Sequence, residues 1–351
     1  MSTPSPIRVA ILGATGYGGI ELLRWLSGHP SVEIVAASSE SSAGKPLATV
    51  YPHLAALNLT LLPAAEARFA GDPQVVFCAL PNGQAMHLAP ALLARGVAVI
   101  DLSADFRLRD AATYTAFYKM EHASPALIPQ AVYGLPELYR DDIRQARLIA
   151  NPGCFPTTAL LATVPLLRAG VISPHGMIVD SKSGVSGAGR TALKTPYLYA
   201  EANEDVSAYG IGTHRHTPEM EQQMTAAGAG DSVITFTPHL VPMTRGIFTA
   251  TYSTLTRECT TADLLAIYRE AYADSPFVQV LDAETLPHTK WCYGSNRAVV
   301  TARVDARTGR ALTLSAIDNL GKGMSGQAVQ NMNLLCGLPE SLGLDRPAIY
   351  P

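Results

Sequence analysis

Six apolar-rich residues, Ile7-Arg8-Val9-Ala10-Ile11-Leu12, run straight into Gly13-Ala14-Thr15-Gly16-Tyr17-Gly18-Gly19 and then into the helical pattern Ile20 to Leu26. Strand, glycine turn and helix in that order form the opening of a dinucleotide-binding unit. The glycines allow a tight turn and close approach of a pyrophosphate, which the helix N-terminus then holds. The spacing here is G-x-x-G-x-G-G, a variant of that fingerprint. A glycine-rich turn without a ligand is the competing reading, and the flanking strand and helix count against it. The alternation continues with apolar strands at Val32 to Ala37, Gln74 to Leu80 and Val97 to Asp101, and a helix from Gln84 to Arg95. That pattern predicts an α/β fold with a doubly wound parallel sheet.

The second strand ends in Ser38-Ser39-Glu40. An NAD enzyme usually places an acid at this strand end to hold the ribose 2′-hydroxyl, whereas serines can donate to a 2′-phosphate. Ser38 and Ser39 therefore favour NADP(H), with Glu40 close enough to weaken the argument. Pro81-Asn82-Gly83 follows the next strand, at the carboxyl end where such sheets bind ligands. After Asp101 comes Ser103-Ala104-Asp105-Phe106-Arg107, whose arginine could clamp a carboxylate or phosphate, or pair with Asp105 or Asp110 as scaffolding. Thr113 to Glu137 reads as an ordered connecting loop.

Chemistry enters at Asn151-Pro152-Gly153-Cys154-Phe155-Pro156-Thr157-Thr158. Pro156 is tolerated only in a first helical turn, so a helix begins at about Cys154. The unpaired N–H groups and dipole there favour a thiolate. A buried structural cysteine is the plainer alternative, but the Pro-Gly-Cys turn behind a nucleotide motif makes Cys154 the candidate nucleophile. Gly212 to Glu219 supplies the base: His214 and His216 alternate along a stretch read as extended, projecting to one side, before a helix capped by Thr217. No third ligand stands at a metal-binding spacing, so no metal is expected. Ser183-Gly184-Val185-Ser186-Gly187-Ala188-Gly189-Arg190, with Lys182 and Lys194 close by, reads as a nest for a phosphate or carboxylate. Strands near 234–240, 246–255, 297–304 and 311–318 suggest a mixed or antiparallel second sheet, and Asp318 to Gln327 leads into a closing helix at 328–336.

Composition narrows the class. With 351 residues, 48% hydrophobic and 16% charged, the chain should bury two cores. A formal net charge of −3 gives no reason to expect nucleic acid or an anionic membrane as partner. No apolar run reaches membrane-spanning length, the first residues lack a signal-peptide pattern, and the five scattered cysteines suit a reducing, cytoplasmic compartment.

With these motifs in view, the sequence resembles the N-acetyl-gamma-glutamyl-phosphate reductases of arginine biosynthesis, over essentially its whole length. The resemblance implies the fold of aspartate-semialdehyde and glyceraldehyde-3-phosphate dehydrogenases. A Rossmann domain at 1–152, completed by a C-terminal helix within about 322–351, would precede an α+β catalytic and dimerisation domain at 153–321. It implies NADPH as cofactor, a small acyl-phosphate substrate, and a homodimer or homotetramer. Carried over residue by residue, Cys154 is the thioester-forming nucleophile, His216 the acid/base, and His214 and Arg107 substrate contacts, with Ser183 and Arg190 beside them. Gly13, Thr15, Gly16, Tyr17, Gly18, Ser38, Ser39, Pro81, Ser186, Gly187 and Asn319 would hold the cofactor, Asn319 at its nicotinamide end. The homologous carrier-linked aminoadipyl-phosphate reductase of lysine biosynthesis shares the core motifs. A cysteine hydrolase would leave the glycine turn idle, and a non-enzymatic NADP sensor would leave Cys154 and the histidines idle.

Overall fold

Strand β1 (Ile7–Leu12) lies inside a seven-stranded sheet because its last four residues, Val9 to Leu12, are apolar on both faces and buried. The structure, a computed structural model, describes residues 5–191 and 194–351. The other strands of this sheet are β2 (Val32–Ser38), β3 (Leu61–Leu62), β4 (Val75–Cys78), β5 (Ala98–Asp101), β6 (Val132–Tyr133) and β7 (Leu148–Ala150). They are ordered β3-β2-β1-β4-β5-β7-β6, and every pairing is parallel. The order reverses at β1 and β4, the switch point where doubly wound sheets open a ligand crevice beyond the strands' carboxyl ends.

Helices α1 (Tyr17–Leu26), α2 (Ala85–Ala94), α3 (Ala111–Tyr118) and α4 (Pro136–Gln145) connect these strands. The segment expected to be a loop, Thr113 to Glu137, is thus partly helical. Asp110 caps α3 by accepting from the N–H groups of Ala112 and Thr113, and Pro136 opens α4. The aromatic and proline content hid both helices, because α3 buries only Tyr114 and Tyr118 and has no apolar stripe to recognise.

The chain divides into two compact units, one of Met1–Pro152 with Met324–Asp345, the other of Gly153–Gly323 with Arg346–Pro351. In the first, the closing helix α8 (Gly326–Leu335) packs against α1 and α4. Its buried face is unusually polar: Asn331 donates to Gly134 O at 2.8 Å and to Asn151 Oδ1 at 3.1 Å, and Gln327 also donates to Gly134 O.

The second unit is built on β8 (His175–Ser183), β9 (Ser207–Ala208), β10 (Val233–Leu240), β11 (Ile247–Thr254), β12 (Val278–Val280), β13 (Ala298–Asp305) and β14 (Arg310–Ile317). Their order is β12-β13-β14-β11-β8-β10-β9, a mixed sheet. Helix α5 (Cys154–Arg168) lies against β11, β13 and β14, joined by α6 (Thr217–Met224) and α7 (Thr261–Ala271). Pro165 inside α5 removes the donor that would have bonded Leu161 O, and the Tyr272 hydroxyl donates to that carbonyl instead. This repair keeps α5 continuous from Cys154 to Arg168. Among the described residues no helix is long and apolar enough to cross a membrane.

Candidate active-site elements

Each glycine of the first loop has its own reason to be glycine. Gly13 has φ +86°, and a Cβ there would lie 2.3 Å from Ala79 O, so the turn packs against the chain leaving β4. Gly19, passed over in the sequence reading, is as demanding, since its Cβ would meet Gly13 O at 2.2 Å. A Cβ on Gly18 would press on the Met324 side chain at 3.0 Å. Gly16 differs: its Cβ would find only Gly13 O, at 3.7 Å, and its place as N-cap of α1 carries no side-chain cap. The N-cap thus gives the first-turn N–H groups of α1 no side-chain acceptor, which suits a dinucleotide pyrophosphate.

The two serines divide the work. Ser38 is buried and its Oγ accepts from Gly13 N–H at 2.9 Å, so it shapes the loop. Ser39 Oγ lies 2.9 Å from Thr15 Oγ1, forming a pair of hydroxyls. Glu40 Oε1 accepts from Ala64 N–H at 2.8 Å, so this carboxylate caps the short helix Ala64–Ala67. Tyr17, at the start of α1, is exposed.

Beyond β4 and β5 a hydrogen-bonded web fixes the Pro81-Asn82-Gly83 turn. The buried Asp105 accepts from Gly83 N–H (2.7 Å), Met86 N–H (3.1 Å) and the Tyr114 hydroxyl (2.8 Å), while Asn82 Oδ1 accepts from Ala104 N–H. Asp101 is fully buried, and burial followed by the Asp105 charge pushes its carboxyl up. Arg107 joins two strand ends. Its Nε donates to Asn151 O and an Nη to Leu102 O, both at 2.8 Å, tying the β5 exit to the β7 exit.

In the second unit, Cys154 is the first residue of α5, following a Gly153 N-cap that carries no side-chain cap. Gly153 N–H instead donates to Glu219 Oε1 at 2.8 Å, with Glu219 only 1% exposed. A Cβ on Gly323 would lie 2.9 Å from Cys154 Cβ, so glycine backbone runs directly against the Cys154 stem. The histidines come together, though not on an extended segment. They occupy a turn, with His216 (φ −83°, ψ −10°) itself the N-cap of α6, and Thr217 within the helix rather than capping it. The turn still places both rings on one side, 4.9 Å apart, stacked edge-on against Phe155 at 5.6 and 6.0 Å.

His214 Nδ1 accepts from His216 N–H at 3.1 Å, which puts the ring proton on Nε2. Burial, then the charge of Arg215, pushes His214 down to about 4. His214 is therefore a neutral donor at physiological pH. The Tyr209 ring lies 5.5 Å from His214, and burial followed by the Cys154 charge pushes its phenol up. Glu219 was legible only as an acidic first-turn residue. Its spacing of three from His216 on one helix side was the available signal. Nothing in the sequence marked Tyr209.

The loop after β8 is not the expected nest. The N–H groups of Gly184, Val185 and Ser186 are spent on the carbonyls of Gly246, Met243 and Thr244, and those of Gly187 and Gly189 on the loop's own carbonyls. Lys182 does not join it either, since its ammonium pairs with Asp180 at 2.6 Å. Ser183 is buried and donates to Gly184 O, while Arg190 and Lys194 are exposed. Asn319 holds the loop: Oδ1 accepts from Gly246 N–H at 2.8 Å and Nδ2 donates to Ser186 Oγ at 2.9 Å. Gly187 passes close to Ser183 Oγ, 3.2 Å from where its Cβ would be. Among the described residues no group of three metal-ligating side chains stands together.

Comparison with known proteins agrees with this division. Residues 8–146 match the family model for the semialdehyde dehydrogenase NAD binding domain, and 154–319 that for the semialdehyde dehydrogenase dimerisation domain. The chain is 53% identical to the N-acetyl-gamma-glutamyl-phosphate reductase of Symbiobacterium thermophilum, over 98% of this chain and 99% of that one. It is 50% identical to the enzyme of the same name from Moorella thermoacetica, over 98% and 100%. Among solved structures it resembles aspartate semialdehyde dehydrogenase II of Vibrio cholerae, with TM-score 0.74 at 18% identity over 95% of this chain and 99% of that one. The NADP complex of aspartate semialdehyde dehydrogenase from Candida albicans gives TM-score 0.69 at 16% identity, over 95% and 99%. At such identities these structures speak for the fold alone.

Proposed function

The chain belongs to the N-acetyl-gamma-glutamyl-phosphate reductase family, and from that premise we propose that it reduces N-acetyl-gamma-glutamyl phosphate to N-acetylglutamate 5-semialdehyde, releasing phosphate, through a thioester on Cys154. It is an oxidoreductase of arginine biosynthesis that uses a nicotinamide cofactor. The names of its relatives favour this substrate over the carrier-linked aminoadipyl phosphate of the lysine pathway. The observation that carries the reading is Cys154 opening a helix whose N-cap offers no side chain, with two histidine rings stacked on the adjacent Phe155.

Gly13, Gly16 and the first turn of α1 would hold the cofactor pyrophosphate. Ser39 and Thr15 would meet a ribose 2′-phosphate. Glu40, the residue that could have repelled that phosphate, is engaged as a helix cap, so NADPH is the proposed form. Bound there, the cofactor supplies the hydride that reduces the thioester.

The protein's own residues divide the remaining work. The Cys154 sulfur attacks the acyl-phosphate carbonyl, and the C–O electron pair leaves with phosphate. N–H groups at the start of α5 stabilise the tetrahedral oxyanion. His216 holds the thiol proton, offers it to the oxyanion left after reduction, and takes it back as the C–S bond breaks. His214, fixed as an Nε2 donor, orients the substrate, with Arg107, Ser183 and Arg190 as further substrate contacts. Glu219 positions the turn before the nucleophile. Asn319, Ser186, Gly187, Pro81, Tyr17 and Gly18 complete the cofactor contacts, Asn319 through the N–H that Ser186 does not use. A homodimer or homotetramer in the cytoplasm completes the proposal, supported by the dimerisation-domain match.

Run in reverse, with N-acetylglutamate 5-semialdehyde, phosphate and NADP, the enzyme should reduce NADP only when phosphate is present. NAD should serve much less well. Phosphate-independent turnover would refute the acyl-phosphate chemistry. The Cys154→Ser variant should bind NADPH normally by fluorescence titration and lose at least about a thousandfold in kcat.

A further inference from the structure

The first unit carries a second cleft, at the edge of its sheet away from the cofactor loops. Gly13 and Pro81 follow the carboxyl ends of β1 and β4, whereas this cleft is lined by residues at or just before the amino ends of β1, β4, β5 and β7. Its volume is about 540 Å³, within the range of small-molecule sites. Arg8, Arg95 and Arg147 wall it, from a strand, a helix end and a pre-strand turn, and Asp72 is the one acid in the lining. Three guanidinium groups around one carboxylate reverse the sign of a chain whose net charge is −3.

Each guanidinium is held in place by a contact that leaves part of its fork unspent. Arg8 Nε donates to Asp72 O at 2.9 Å, Arg147 Nη2 donates to Gly96 O at 2.5 Å, and Arg95 stacks on Phe69 at 4.0 Å. Among the described residues none of the three forms an ion pair. Scaffolding explains one contact apiece. It does not explain why three fixed forks, each with uncommitted donors, gather on one cavity. Such a gathering raises the local potential, and planar forks match carboxylate and phosphate oxygens.

We propose that the cleft walled by Arg8, Arg95 and Arg147 binds a small polyanion bearing two or more carboxylate or phosphate groups. The site is separate from the one that carries out the reduction and independent of the proposed substrate. A ligand that binds only the folded state raises its thermal stability. The test uses the full-length protein saturated with NADP, so that the α1 N-terminus is occupied. Citrate and pyrophosphate are titrated by calorimetry and by thermal unfolding, against sodium chloride at matched ionic strength. One of them should bind and raise Tm beyond the salt control, and the tighter of the two identifies the headgroup. Arg95→Gln/Arg147→Gln changes two exposed side chains, so folding should be unaffected. It should weaken that binding at least tenfold while leaving NADP affinity and turnover without the anion unchanged. Anions that match sodium chloride in the wild type, or bind the double variant equally well, would overturn the proposal.

Discussion

His214 shows how a single bond sets a chemical role. Because its Nδ1 takes the His216 N–H, the ring is committed to one tautomer, and burial keeps it neutral to about pH 4. The folded-state value lies below the unfolded one of about 6.5, so the unfolded chain binds the extra proton first as pH falls. Stability attributable to this residue is therefore present above about pH 6.5 and is lost between there and about pH 4. Urea unfolding at pH 7 and pH 4.5 should show a loss of about 2 kcal/mol in the wild type that His214→Gln does not share. An equal loss in the variant would remove His214 from the account. Residue pattern alone could not tell the two histidines apart, since both stand in equivalent alternation, and only the family resemblance assigned them different roles. The difference in their hydrogen bonding arises from the turn that His216 makes as the N-cap of α6, which aims its N–H at His214 Nδ1.

Elements decide where Cys154 sits. Helix α5 begins at Cys154 as Pro156 dictated, because proline in a first turn is a strong local signal. Its other supports are long-range: Glu219 on α6 fixes Gly153, and Gly323 presses on the Cys154 stem. Gly323→Ala adds a Cβ 2.9 Å from Cys154 Cβ, so one of the two backbones must move. The expected result is a kcat lowered by about 10–100-fold through displacement of the sulfur, with NADPH affinity intact in a fluorescence titration. Unchanged turnover would show that the contact relaxes freely. The loop after β8 shows the opposite outcome. Glycines and hydroxyls suggested an anion nest, yet the N–H groups turn inward to the 243–246 backbone, a pairing that composition cannot reveal.

Across the whole molecule, the parallel strands were legible because apolar runs bounded by glycine and proline carry their own boundaries, as β1, β4 and β5 show. Helix α8 was legible as a helix, but its packing in the first unit depends on amides whose partners lie far off in sequence. Asn331 reaches Gly134 and Asn151, and the close approach makes Gly134 a glycine as well, its Cβ site being 2.4 Å from Asn331 Nδ2. Asn331→Leu should therefore cost about 1–3 kcal/mol in chemical denaturation, because the buried Asn151 Oδ1 loses its donor while Gly134 O keeps only Gln327. A change below about 0.5 kcal/mol would mean that the amide web is dispensable. One further consequence comes from the uneven surroundings of the thiols. Cys78 and Cys292 are buried and pushed up, Cys292 to about 12, and Cys336 is pushed up to about 11. At neutral pH those three are poor targets for an alkylating reagent, which leaves Cys154 and Cys259 to compete. Peptide mapping after limiting iodoacetamide should find the label on Cys154 in step with lost turnover, making one sulfur a built-in tag for counting working enzyme.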